Sequence, residues 1–167
     1  MRKPKEVDEQ FVELVNRHQP VIHKVCRMYA DSPEDRQDLL QDVLFQLWRS
    51  YPSFQGKSKF STWMYRIALN TAITRLRKET RKAEHVELDA GAIAASTPAM
   101  TPGAGEQLEA LYRLIRKLSR VDRALVMLYL EDLSYREMSE ILGLSESNIG
   151  VKLNRIKARL QALAKES

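Results

Sequence analysis

Asn148, Lys152, Arg155 and Arg159 follow one another at intervals of four, three and four residues, which on an α-helix places them within roughly 60° of one another. Three long cations and an amide on one stripe are donors for phosphate oxygens and base edges, the chemistry of nucleic-acid binding rather than of catalysis. Ile149, Leu153, Ile156 and Leu160 keep the same rhythm about 100° away, so one side can pack while the other faces DNA. Ser147, Asn148 and Val151 lie toward the amino end, where a recognition helix reaches bases and where Val151 can meet a thymine methyl. Arg155 and Arg159 suit phosphates. The preceding residues complete a helix-turn-helix pattern. Ser134-Tyr135-Arg136-Glu137 has the serine and glutamate of a capping box, Met138, Ile141 and Leu142 follow, Gly143 suits a tight turn and Ser145 can cap the last helix. Gly150 costs that helix about 1 kcal/mol relative to alanine. It either permits a close backbone approach or is simply tolerated.

A second cationic run, residues 57–82, holds Lys57, Lys59, Arg66, Arg75, Arg77, Lys78, Arg81 and Lys82 against Glu79, a local charge of +7. Phe60, Trp63 and Tyr65 interleave with it, and Asn70 and Thr74 share its length. Cations beside aromatics hold single-stranded nucleic acid by stacking. Ile67, four residues after Trp63, favours a core position for that indole and leaves Phe60 the freer aromatic. Residues 31–42 have the opposite character: Asp31, Glu34, Asp35, Asp38 and Asp42 against Arg36 give −4, whereas residues 145–165 carry +4. In helical projection Asp38, Gln41, Asp42, Phe45 and Arg49 share one side, and Leu40, Val43, Leu44, Leu47 and Tyr51 the other. A phenylalanine among carboxylates marks either a docking surface for a basic protein or a partly buried core side chain. One acidic and two basic surfaces point to two kinds of partner, although solvated helix faces explain any one run taken alone.

Helices must position these surfaces. The chain has 167 residues and a net charge of +5, enough for one ordinary domain or two small ones. Its six glycines and abundant Leu, Ala, Glu, Arg and Lys favour helix. Residues 83–105 break the pattern: 15 of these 23 are Ala, Gly, Pro, Ser or Thr, and Pro98, Pro102 and Gly103 interrupt any helix. The expected fold is all-α, with two small helical domains, 1–82 and 106–167, joined by a flexible linker, 83–105.

In the first domain Asp8 is expected to cap a helix carrying Phe11, Val12, Leu14 and Val15, and Pro20 to open a second with Val21, Ile22, Val25, Cys26 and Tyr29. Ser32-Pro33-Glu34 starts a third, which Pro52 ends near Tyr51. After a loop, 53–59, a fourth runs from about Ser61 through Leu76. In the second domain Leu108 to Leu118 and Val121 to Leu130 form two helices ahead of the helix-turn-helix.

No stretch approaches the roughly 18 apolar residues of a membrane span, and no apolar signal-peptide run follows the basic start, so membrane insertion is not expected and the cytoplasm is the expected location. Cys26 has no second cysteine to pair with. His23 and Cys26 sit three apart without a second ligand pair, so no metal site is expected. No phosphate-binding loop, nucleophile elbow or H-E-x-x-H motif occurs, so neither enzyme activity nor a cofactor is expected.

Three segments together resemble the extracytoplasmic-function group of bacterial sigma factors, the smallest members of the sigma-70 family. Asp38-Leu39-Leu40-Gln41-Asp42-Val43-Leu44 with Leu47-Trp48 is similar to region 2.2. Phe60-Ser61-Thr62-Trp63-Met64-Tyr65-Arg66-Ile67-Ala68-Leu69-Asn70 is similar to regions 2.3 and 2.4. Leu133 to Glu146 resembles region 4.2, although Gly150 stands where many relatives have Lys or Arg and Asn154 where some have an aromatic or His.

The resemblance implies that Asp38, Gln41, Asp42, Phe45 and Arg49 bind the clamp helices of core RNA polymerase, with the flap as a further polymerase contact. Lys57, Lys59, Phe60, Trp63, Arg66, Asn70, Thr74, Arg75, Arg77 and Lys78 would open and hold the −10 element of promoter DNA. The last helix would read the −35 element. An anti-sigma factor is an implied partner, one that can hold the protein at the inner membrane. Promoter elements about 17 base pairs apart are separated by roughly 58 Å at 3.4 Å per pair. A 23-residue linker spans about 27 Å as a coil and at most about 76 Å extended, so polymerase must hold the domains apart. Two other readings stay open: a two-domain helix-turn-helix regulator that binds a palindrome without polymerase, and a helical RNA-binding protein.

Overall fold

The helices begin where the chain supplies caps and prolines. The computed structural model describes residues 4–86 and 104–166, and every regular element among them is helical. The order is α1 (Pro4–Arg17), α2 (Gln19–Tyr29), α3 (Pro33–Ser50), a 3-10 turn (Tyr51–Ser53), α4 (Phe60–Val86), α5 (Ala104–Arg116), α6 (Arg120–Leu130), α7 (Tyr135–Leu142) and α8 (Glu146–Glu166). Contacts divide the chain into two compact units, Met1–Ala72 and Ile73–Ser167, so the division falls inside α4. Both units are helical, and the fold is all-α.

In the first unit Ser32 caps α3: the Asp35 amide donates to Ser32 Oγ at 3.1 Å, and Pro33 opens the first turn, where its missing N–H is no loss. Arg36 Nε donates to the Ala30 carbonyl at 3.2 Å, tying α3 to the end of α2. Ile22, Val25, Cys26 and Met28 of α2 are buried with Leu39, Val43 and Leu47 of α3 and Met64, Tyr65, Ala68, Leu69 and Ala72 of α4. These are the apolar stripes of three amphipathic helices, and their burial drives the unit together.

The second unit takes in the end of α4 together with α5 to α8. Ile115, Leu118, Ala124, Leu125, Leu128, Met138, Ile141, Ile149, Leu153 and Ile156 form its core. Arg123 donates to the carbonyls of Leu118 and Arg116, so its side chain satisfies acceptors around the end of α5. Asp132, at φ +58°, turns the chain between α6 and α7 in a conformation that Asp adopts more readily than most residues.

Several boundaries differ from those read in the sequence. Helix α1 starts at Pro4, so Asp8 lies inside it rather than capping it. The apolar repeat marked the face of that helix, not its start. Pro20 is the second residue of α2, after Gln19. Helix α4 runs ten residues past Leu76, through a basic stretch of good helix formers with no Gly or Pro to stop it. It takes in residues 83–86, and α5 begins at Ala104. The rest of the expected linker, 87–103, lies outside the described residues.

Candidate nucleic-acid interfaces and docking surface

Helix α7 and the turn after it set the pose of α8. The Glu137 amide donates to Ser134 Oγ at 3.1 Å and the Ser134 amide donates to Glu137 Oε2 at 2.9 Å, a complete capping box. Gly143 closes α7 at φ +72°, the left-handed conformation in which a Cβ is strained. The Asn148 amide then donates to Ser145 Oγ at 3.1 Å and starts α8. Ile149, Leu153 and Ile156 are at most 3% exposed, while Ser147, Asn148, Arg155 and Arg159 are exposed, Lys152 is half-buried and Val151 is 54% exposed. The helix therefore divides into a packed row and a polar row. Lys152, Arg155 and Arg159 line a cleft of about 190 Å³ with Ile156 and Asp122 of α6. Among the described residues no carboxylate forms an ion pair with any of the three.

The neighbouring Lys157 is drawn the other way. Its ammonium stands 4.4 Å from the ring centre of Tyr129 and adds a cation–π contact at the edge of the unit.

On α4, Arg66, Asn70, Thr74 and Arg77 are exposed and lie within about 80° of one another, a polar row opposite the buried Met64, Ala68 and Ala72. Arg75 is on another side. It is half-buried and its Nε pairs with Glu79 at 3.2 Å, so the structure does not bring it into that row. Lys78 is exposed, and Lys57 and Lys59 are exposed on the loop that precedes the helix. Gly56 bends this loop at φ +69°. Aromatic rings pack around its base: Trp63 meets Phe54 at 5.0 Å, Phe60 at 5.3 Å and Tyr51 at 6.2 Å, and Phe60 also meets His18 at 5.5 Å. Trp63 is 9% exposed, so it offers solvent little surface, whereas Phe60 is half-buried.

Helix α3 presents Asp38, Gln41, Asp42, Phe45 and Arg49 to solvent, with Phe45 59% exposed. Leu39, Val43 and Leu47 are buried on its other side, and Leu40 and Leu44 are half-buried. Sequence reasoning missed Trp48, which is 45% exposed and rests edge-on against Phe11 at 5.1 Å. Its position was available as a signal: three residues after Phe45 and seven after Gln41, it borders the same face. On α2 His23 is exposed and Cys26 is buried. No helix among the described residues is long and apolar enough to cross a membrane.

Comparison with known proteins agrees with this geometry. Residues 14–82 match Sigma-70 region 2 and residues 108–160 match Sigma-70, region 4. The chain is 27% identical over 154 residues to the ECF RNA polymerase sigma factor SigM of Mycobacterium tuberculosis, covering 92% of this chain and 76% of that protein. It is 25% identical over 164 residues to the ECF RNA polymerase sigma factor SigW of Bacillus subtilis, covering 92% and 88%. Its fold matches that of the sigma factor RpoE from Bartonella quintana, solved with the anti-sigma factor NepR, at a TM-score of 0.73 and 22% identity over 96% of this chain and 98% of that one. With both regions in family order and full-length relatives of the same kind, the chain belongs to the sigma-70 family, in its extracytoplasmic-function group.

Proposed function

We propose that this sigma factor binds core RNA polymerase through the exposed face of α3, opens the −10 element with the loop before α4 and the polar row of α4, and reads the −35 element with α8. The observation that carries the reading is the division of α8, whose apolar row is buried while Ser147, Asn148, Val151, Arg155 and Arg159 remain exposed. A helix that spends its hydrophobic side on its own unit and keeps its donors free is built to enter a major groove.

Asp38, Gln41, Asp42, Phe45 and Arg49 dock against the polymerase clamp helices, and the second unit meets the flap. Lys57, Lys59, Phe60, Arg66, Asn70, Thr74, Arg77 and Lys78 hold the displaced strand. Trp63 supports Phe60 from beneath, and Arg75 contributes to the field of the α4 run. Capturing unstacked bases offsets an unstacking cost of a few kcal/mol, so opening draws on binding energy and needs no nucleotide hydrolysis by this chain. An anti-sigma factor keeps the protein inactive in the cytoplasm by covering the polymerase-binding face.

Transcription in vitro with purified core polymerase on a promoter library tests the reading. Discrete start sites are expected only when the chain is added, and the promoters recovered reveal the recognised sequence. Failure to direct the polymerase to any start site, with no inhibitor present, refutes it.

A further inference from the structure

We propose that Asp122 is a counter-charge built into the phosphate-facing cleft of the second unit and that it weakens the chain's hold on DNA of any sequence. The inference rests on the reading of α8 as the DNA-facing helix. Asp122 lies in the first turn of α6, three residues after the capping Ser119, whose Oγ accepts from the Asp122 amide at 3.3 Å. Its side chain lines the 190 Å³ cleft together with Lys152, Arg155, Ile156 and Arg159.

Three cations and one carboxylate thus share a space that admits a phosphate. Among the described residues no ion pair joins Asp122 to any of the three cations. Its charge is therefore not cancelled by a short contact, and its field acts on whatever anion enters. A phosphate in the cleft is attracted by Lys152, Arg155 and Arg159 and repelled by Asp122.

A carboxylate in the first turn also suits the helix dipole. That role is met whichever way the side chain points and does not call for three cations around it. The cleft role does. Non-specific DNA binding is supplied almost wholly by phosphate electrostatics, so one carboxylate here lowers the background on every duplex. Base contacts nearer the amino end of α8, from Ser147, Asn148 and Val151, are left untouched. Specificity is a difference of affinities, so a repulsion common to every duplex leaves the preference among sequences unchanged and lowers only the absolute hold of the chain on DNA.

Fluorescence anisotropy of the full chain with a labelled duplex of random sequence tests the proposal. Asp122→Asn is expected to tighten binding about three- to tenfold at low salt. The gain should shrink as ionic strength passes about 0.1 M, where the screening length is about 10 Å. Asp122→Glu keeps the charge and should stay near the parent affinity. Ser119→Ala loosens the start of α6 without altering charge, and should lower the melting temperature with no gain in binding. Unchanged or weaker binding by a folded Asp122→Asn overturns the proposal. If Lys152→Ala with Arg155→Ala leaves duplex binding intact, the reading of α8 itself fails, which is a separate result from failure of the Asp122 variant alone.

Discussion

The Cε2 atom of Tyr135 stands 3.4 Å from the point a Cβ on Gly150 would occupy, and apart from its two chain neighbours and the helix's own backbone no other described atom comes within 4 Å of that point. Tyr135 is the first residue of α7 and Gly150 the fifth of α8. A Cβ at Gly150 would meet the Tyr135 ring of the preceding helix at an ordinary van der Waals distance, so α8 has room for an alanine at this position.

Gly150→Ala should stabilise the protein by about 0.5–1 kcal/mol, because alanine lowers the conformational entropy lost in a helix. The added methyl meets only the Tyr135 ring, which is 41% exposed and has solvent to move into. Urea denaturation measures the change. A fall in stability would show instead that the ring is held fixed and that the α7–α8 approach needs glycine.

The capping box gives a second expectation. Ser134→Ala removes the acceptor of the Glu137 amide but leaves the backbone N–H of residue 134 to donate to Glu137 Oε2, at a cost of about 1 kcal/mol. Because α7 positions α8, DNA affinity should fall together with stability. A double-mutant cycle with Glu137→Ala measures the coupling, and additive losses would mean that the two hydrogen bonds act independently.

The box, the Ser32 cap and the Gly143 turn were legible because each is decided within four residues by side-chain chemistry. The start of α1 was not, since Phe11 and Val15 reveal which side is buried but not where the helix begins. Arg75 belongs to a cationic run in sequence, yet on one helix it falls about 180° from Arg66, away from the polar row of α4, and pairs there with Glu79. Trp48 entered the sequence reading only through the segment similar to region 2.2. Periodicity assigns a direction, and only the structure shows that the indole rests on Phe11 and stays 45% exposed among the described residues. For Trp63 and Phe60 the i+4 position of Ile67 indicated the order of burial that is found, and Phe54 from the loop packs against both rings.

Phe60 and Trp63 should therefore behave differently. Trp63→Ala removes a buried indole and should cost about 3–5 kcal/mol of stability, read as a lowered urea midpoint. Phe60→Ala, at a half-buried site, should cost less and reduce promoter opening more than it reduces polymerase binding. Permanganate footprinting of unpaired thymines reads the opening. Equal footprints from Phe60→Ala and the parent would remove Phe60 from the melting surface.

For the α3 face, the Phe45 side chain is 59% exposed, so Phe45→Ala should change stability by no more than about 0.5 kcal/mol. Its effect should appear in association with core polymerase, weakened at least about tenfold if it is an interface anchor. Charge reversal at Asp38 and Asp42 together should abolish that association while duplex binding by the full chain persists. A pull-down in which the doubly reversed chain retains polymerase would end the assignment of α3 as the docking surface.

Salt dependence separates phosphate contacts from base contacts on α8. Each phosphate-neutralising cation adds close to one unit to the slope of log affinity against log salt, so Arg155→Ala and Arg159→Ala should each flatten the slope by about one on every duplex. Asn148→Ala should leave the slope unchanged and reduce affinity only for the promoter sequence recovered by transcription, because an amide at the amino end reads bases and releases no counterion. Titrations at several salt concentrations, with the promoter and a scrambled duplex, distinguish the two behaviours. Were Asn148→Ala to weaken both duplexes alike, the amino end of α8 would be a backbone contact, and −35 sequence would have to be read elsewhere on the second unit.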